Sequence, residues 1–308
     1  MTALRAALAD YLQLRRALGF KLEKLDRLLS GFVAFAEAEG ASHITTGVAV
    51  AWATQPAGAD PSWHATRLSA VRLFARHLQA MDPRTEIPPA GLLPGRSRRA
   101  EPYLYSPAQI AALMTAAGAI TAPLKAATYQ TLIGLLTVTG MRVGEAISLD
   151  RCDADLGGGL ITVRQGKFGK SRQLPLHPSA VTALDDYARL RDRHCARPQT
   201  QAFFVSLTGT RLIYKNVHYR YRQLTQTAGL EPRSARCRPR IHDLRHSFAV
   251  ATLISWYQDG GDTAARLPLL STYLGHIDPG DTYWYLQAAP ELLTLAAARL
   301  QAAQGGPA

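Results

Sequence analysis

The sequence predicts a mostly α-helical protein with one small β-hairpin, divided into an N-terminal helical domain and a larger α+β domain. Three observations predict it. Apolar residues recur at helical spacing along most of the 308 residues. One stretch, 160–176, alternates instead, about a glycine-containing turn. Between them, Pro83, Pro88, Pro89, Pro94, Pro102 and Pro107 are too dense for a helix to continue. The length also suits two domains, each able to bury a core.

The elements follow in order. Leu4, Leu8, Tyr11 and Leu12 form one helical stripe, and Leu25, Leu28, Leu29, Phe32 and Phe35 a second. Val48–Ala53 is a third apolar stretch. Asp60 before Pro61 reads as an N-cap with proline at N1, opening a helix that carries Trp63, Leu68, Val71, Phe74 and Leu78. These make a domain over residues 1–82. Residues 83–105 read as an extended linker made basic by Arg96, Arg98 and Arg99. The second domain, 106–308, opens on a capping box, Ser106 with Gln109 around Pro107, and a helix over 107–117. A buried helix over 126–139 closes at Gly140, and another runs from Arg142 to Leu149. Strands at 160–164 and 172–176 flank the turn Gly166–Lys170. Helices follow near 179–192, 217–227, 244–257 and 265–274. A last helical stretch begins near Pro279, and the tail from Gly305 is expected to fray.

Charge narrows the partner. The chain carries 35 Lys and Arg against 23 Asp and Glu, a net charge of +12. Residues 211–245 hold nine basic and two acidic side chains, so this stretch alone equals the +7 excess of residues 101–308. A polyanion, nucleic acid first, is the expected partner. No apolar run reaches the roughly 18 residues of a membrane span, and the first ten residues lack a signal stretch, so a cytoplasmic location is expected. Cys152, Cys195 and Cys237 are odd in number and widely spaced. That fits reduced thiols rather than a disulfide framework or a zinc site.

Four segments could do chemistry. Thr139-Gly140-Met141-Arg142-Val143-Gly144-Glu145 places an arginine at a helix start, where guanidinium and free N–H groups can face an anion. Gly166-Lys167-Phe168-Gly169-Lys170-Ser171-Arg172 lacks Walker spacing and offers a lysine on a turn to a phosphate or leaving group. Ile241-His242-Asp243-Leu244-Arg245-His246 sets an imidazole and a guanidinium on one helix face, a pairing suited to phosphate chemistry. His242 and His246 lack a third metal ligand, so no metal is expected. Leu274-Gly275-His276 is followed by Tyr283 and Tyr285, whose side chains point about 200° apart on a helix. Alone, each segment has an ordinary structural explanation.

The order Arg142, Lys167, His242 with Arg245, His276, Tyr285 is specific, and here the chain resembles the tyrosine recombinase (phage integrase) family over essentially its whole length. The Gly-x-Arg-x-x-Glu, Gly-Lys-x-x-Lys, His-Asp-Leu-Arg-His and Leu-Gly-His segments match. The nine-residue step from His276 to Tyr285 is the family's usual spacing and selects Tyr285 over Tyr283. Gly-Lys-Phe-Gly-Lys departs from the common Gly-Lys-Gly-x-Lys. That leaves Lys167 and Lys170 both open, with the position after Gly166 favouring Lys167. Asp278-Pro279-Gly280-Asp281 is more turn-like than usual, and a mobile tyrosine segment is expected.

The resemblance implies a site-specific DNA recombinase with a helical core-binding (SAM-like) domain and an α+β catalytic domain. By it, Tyr285 attacks a phosphodiester to form a 3′-phosphotyrosyl link and release a 5′-hydroxyl. Arg142 and Arg245 clamp the non-bridging oxygens, His242 is the general base, and His276 donates to the phosphate. Lys167 protonates the leaving oxygen, and Glu145 supports the site. Neither a metal nor another cofactor is implied. The implied partners are a double-stranded recombination site and a homotetramer on two such sites, alone or with related recombinases, at the nucleoid. Arg96, Arg98, Arg99, Lys170, Arg172, Lys215, Arg220, Arg222, Arg238 and Arg240 are the expected DNA contacts, with helix faces near 64–77 and 215–223 for the major groove. Leu292, Leu293, Leu295 and Leu300 would dock on their own domain or on a neighbouring protomer. An added arm-binding domain is not expected, and a Xer-like or transposon-type system is the expected kind. Integration, excision or transposition of a mobile element is the expected role. The alternatives are dimer resolution by the same chemistry, a type IB topoisomerase, a non-catalytic accessory partner, and a helix–turn–helix regulator.

Overall fold

The computed structural model describes residues 2–20, 22–95, 100–164, 171–195, 199–276, 278, 280–288 and 290–304. The chain divides into two compact units, Met1–Arg99 and Ala100–Ala308.

The first unit is built from α1 (Ala3–Ala17), α2 (Glu23–Ala38), α3 (Thr46–Thr54) and α4 (Pro61–Leu78). The Asp60 cap is the one the sequence predicts: Asp60 accepts from the Ser62 amide at 2.8 Å with Pro61 following. Thr45 also caps α3, accepting from the Val48 amide at 3.2 Å. The stripes bury Leu4, Leu8, Tyr11 and Leu12 on α1, Leu29, Phe32 and Val33 on α2, and Leu68, Val71 and Phe74 on α4. Leu25, Leu28 and Phe35 pack at the margin of this core. Full burial of each large apolar side chain stabilises by about 1.5–3 kcal/mol.

Much of the expected linker is packed against this unit. Thr85 is buried, the Glu86 amide donates to the Ile44 carbonyl at 2.8 Å, and its carboxylate accepts from the Thr46 amide at 2.7 Å. Arg72 donates to the carbonyls of Pro88 and Pro89, both at 2.7 Å. Prolines prevent a helix here but keep their carbonyls as acceptors, so the extended segment fastens to α4. At the far end, Tyr103 and Tyr105 are buried in the core of the second unit. Arg96, Arg98 and Arg99 lie outside the described residues.

The second unit contains α5 (Pro107–Gly118), α6 (Pro123–Thr139) and α7 (Val143–Ser148), then a 3-10 turn (Arg151–Asp153). Strands β1 (Ala154–Asp155), β2 (Leu160–Val163) and β3 (Arg172–Pro175) follow. Then come α8 (Pro178–His194), α9 (Tyr214–Thr227), α10 (Asp243–Gln258), α11 (Thr263–Leu274), α12 (Gly280–Ala288) and α13 (Pro290–Gln304). The Ser106–Gln109 capping box forms at both ends. The predicted hairpin is present, β2 pairing with β3 so that Ile161 faces Leu174. A third antiparallel strand, β1, extends it; two residues are too few to show alternation. Helix α6 packs against α5, α8 and α10, which is why its sequence is apolar nearly all round. The final helical stretch is two helices, because Pro290 cannot continue α12 and instead opens α13. Leu292 is buried against α10 of the same chain, while Leu293 is exposed. Among the described residues no helix is long and apolar enough to cross a membrane.

Candidate active site

The start of α7, the N-terminal turn of α10, the C-terminal end of α11, and α12 converge around one cluster of basic and aromatic side chains. Gly140 ends α6 with φ +59°, the left-handed value that favours glycine. The chain thereby turns at once into α7, whose N-cap is Arg142. Glu145, three residues on, accepts from the Arg142 amide at 2.9 Å and from its guanidinium at 2.9 Å. Arg142 also donates to the Gly275 carbonyl at 3.1 Å. It remains partly accessible.

Arg245 is 2% exposed. Its two Nη atoms donate to the carbonyls of Gly140 (2.9 Å) and Leu274 (2.7 Å), and it hydrogen-bonds the Tyr285 side chain. Burial, then the charge of Arg142, brings its pKa down to about 10, so it stays positive at neutral pH. Two guanidiniums fixed by the protein are groups of the kind that can hold an anion.

Tyr285 is buried, whereas Tyr283 is 52% exposed. The Tyr285 ring lies 5.4 Å from that of His246 and 6.0 Å from that of His276. His276 shares a 2.7 Å hydrogen bond through Nδ1 with the Thr282 hydroxyl. His242, exposed at the α10 N-cap, meets His246 edge-on at 4.7 Å. Arg142, Glu145, His242, Arg245, His276 and Tyr285 are therefore brought to one place. Lys167 and Lys170 lie outside the described residues.

Sequence reasoning did not assign roles to His246, Asp243 and Thr282. His246 packs between His242, Trp284 and Tyr285, with Nε2 3.9 Å from the Asp243 carboxylate. Asp243 is fully buried; desolvation raises its pKa despite the Arg240 ion pair at 2.7 Å. The i, i+4 relation of His246 to His242 was the available signal. Among the described residues no group of three or more His, Cys, Asp or Glu is placed to hold a metal ion.

The expected DNA contacts divide. Lys215, Arg222 and Arg238 are exposed, and Arg220 is half-buried, near enough to Lys125 to lower the latter's pKa behind the effect of burial. Arg240 is tied to Asp243 and donates to the Glu101 carbonyl at 3.3 Å. Arg211, within the basic stretch, pairs with Asp150 and holds the carbonyls of Ile147 and Leu149. The largest departure is Arg172. Rather than facing solvent it donates to both oxygens of Glu145, at 3.2 and 2.8 Å, and to the Tyr273 carbonyl at 2.7 Å. A carboxylate buried nearby offers it a stronger, preorganised partner than water does.

Known proteins resemble this chain in family and in fold. Residues 105–291 match the phage integrase family. The chain is similar to the putative integrase/recombinase y4rB of Sinorhizobium fredii, 45% identical over 307 residues that span 98% of each protein. The tyrosine recombinase XerC of Azotobacter vinelandii is 34% identical over 218 residues, 71% of this chain and 67% of that one. Among solved structures, the Tn1549 transposon integrase in complex with transposon right end DNA shares the fold. Its TM-score is 0.67 over 98% of this chain and 99% of that one, at 16% identity.

Proposed function

The chain belongs to the phage integrase family and is a tyrosine-type site-specific recombinase, and from that premise we propose that it cuts and rejoins DNA through a covalent link to Tyr285. The observation that carries the reading is the convergence of Tyr285 with Arg245, Arg142 and His276 around one anion site. A free phenol has a pKa of about 10, so attack on phosphorus needs a proton acceptor and an activated phosphate. The Arg245 hydrogen bond favours the phenolate. His242, exposed at the α10 N-cap, accepts the proton. Arg142 and Arg245 bind the non-bridging oxygens and stabilise the charge that grows on them; loss of one such donor costs about 10²–10³ in rate. When the Thr282 hydroxyl donates to Nδ1 of His276, Nε2 carries the proton and can donate to the same phosphate. The bond formed is Tyr285 Oη–P, the bond broken is P–O5′, and the proton on the released 5′-oxygen comes from Lys167. Rejoining reverses these steps.

Exposed Lys215, Arg222 and Arg238, with Arg96, Arg98, Arg99 and Arg220, supply phosphate contacts that give affinity without sequence choice. Two duplex sites and four protomers make up the working assembly, in the cytoplasm. The role we favour is movement of a genetic element, supported by likeness to a putative integrase/recombinase along the whole chain and to a transposon integrase in fold.

The test is an SDS-resistant adduct on nicked duplex DNA carrying the ends of the encoding element, formed in EDTA. Wild type and Tyr283→Phe give the adduct, and Tyr285→Phe gives none. Persistence of the adduct in Tyr285→Phe would move the nucleophile elsewhere. Tight binding without any adduct from wild type would leave a DNA-binding partner rather than an independent catalyst.

A further inference from the structure

Helix α11 ends in an unusual way. Of its last carbonyls, Ser271 accepts from the His276 amide and Thr272 from the Gly275 amide, both at 2.9 Å. Among the described residues, the next three carbonyls have no donor within the helix. Three arginines from three other segments take them in order. Arg172 of β3 holds Tyr273 at 2.7 Å, Arg245 of α10 holds Leu274 at 2.7 Å, and Arg142 at the α7 N-cap holds Gly275 at 3.1 Å. The helix end also carries the negative pole of its dipole, which favours cations there. His276 is the next residue. Two of these arginines are the proposed phosphate ligands.

The third is different. Each guanidinium nitrogen of Arg172 is engaged, Nε by Tyr273 and both Nη atoms by Glu145, and the side chain is only 14% exposed. Glu145 in turn grips the backbone and guanidinium of Arg142. Gly275 lies against the pair: a Cβ there would stand 3.0 Å from Nη1 of Arg172 and 3.6 Å from Nη1 of Arg142.

We propose that Arg172 is a positioning residue of the recombination reaction. It fixes Glu145 and the end of α11 relative to each other, so that Arg142 and His276 meet the same phosphate, and it does not itself touch DNA. The proposal rests on the recombinase reading above. Without Arg172, Glu145 keeps Arg142 as its remaining charged partner and the Tyr273 carbonyl loses its donor. A shift of about 1 Å at a reacting centre costs on the order of 10² in rate. Lysine keeps the charge but cannot grip a carboxylate with two nitrogens while holding a carbonyl with a third.

The test uses the full chain and the nicked element-end duplex. It compares wild type, Arg172→Lys, Arg172→Gln, Arg142→Lys and the Arg142→Lys/Arg172→Lys double variant. DNA affinity is measured against salt, and the adduct-forming rate at saturating DNA in single turnover. We expect Arg172→Lys to form adduct about 10-fold more slowly and Arg172→Gln about 10²-fold more slowly. Affinity should change less than about twofold and the salt slope should not move. The double variant should be little slower than Arg142→Lys, since both changes disturb one unit. A weaker affinity with a salt slope lower by about one would make Arg172 a phosphate contact and overturn the proposal. So would rates that multiply in the double variant, or a wild-type rate in Arg172→Lys, which folds with its charge intact even if the glutamine variant does not. If wild type itself forms no adduct, the recombinase reading fails first and the proposal goes with it.

Discussion

Glu145 shows how opposing terms combine at one residue. Burial pushes its carboxyl pKa up, but the hydrogen bond and charge of Arg172, then the backbone and side-chain hydrogen bonds of Arg142, outweigh it, and the net position is below the ordinary value of 4.5. A carboxyl whose pKa is lower in the folded state stabilises the fold at pH above its unfolded value. That contribution is lost as pH falls from about 4.5 through the folded pKa. Glu145→Gln should therefore lower Tm most above pH 5, and the gap to wild type should shrink in acid. A gap independent of pH would mean that the ion pairs contribute nothing to stability. Differencing against the variant removes Asp243, whose shift has the opposite sign. At this scale the sequence was informative about types and order: Arg142, Arg245, His276 and Tyr285 all reach the site. It did not reveal that Arg172 looks inward. An arginine after a basic turn reads as solvated unless the buried carboxylate opposite it, 27 positions earlier, is known.

Among elements, the α6–α10 contact leaves little room. Gly140 ends α6 in the left-handed region, its carbonyl accepts from Arg245, and a Cβ there would lie 2.4 Å from Cδ1 of Phe248 on α10. Gly140→Ala should cost at least about 2 kcal/mol, from roughly 1–2 kcal/mol of left-handed strain plus overpacking. It should also slow adduct formation, because Arg245 follows its carbonyl. A thermal melt and the single-turnover rate check both; an unchanged Tm would show that α10 yields freely. In the first unit, Phe74→Ala should cost about 3–5 kcal/mol by opening a cavity beside Tyr11. Helices were legible because their stripes and caps are local. Strand β1 was not, being two residues long, and the segment after α4 was not, because its partners, Arg72, Ile44 and Thr46, belong to other elements.

For the whole molecule, the first unit has a core built from α1–α4, and the second has its own two clusters, one from Tyr103 to Leu244 and one from Ala249 to Leu292. Residues 100–308 should therefore fold alone, with helical circular dichroism and a single cooperative melt. A melt without a sigmoidal transition would show that the second unit depends on the first. DNA binding by the full chain should weaken steeply with salt, since affinity resides mainly in phosphate contacts.

By itself the sequence determined the helical class and the hairpin, and it named the residue types and order of the candidate site. Each of these depends on residue type and short spacing, which the chain carries openly. The tertiary structure alone decided which charges are used up inside the protein. Arg172, Arg211 and Arg240 look like their exposed neighbours in the sequence, yet each is held by a carboxylate or carbonyl. It also decided that Tyr285 lies inside against Arg245 and His246 while Tyr283 faces out. The physical reason is the same throughout. A hydrogen bond needs its partner within about 3 Å, and that distance is set by how distant segments pack, which no local pattern records.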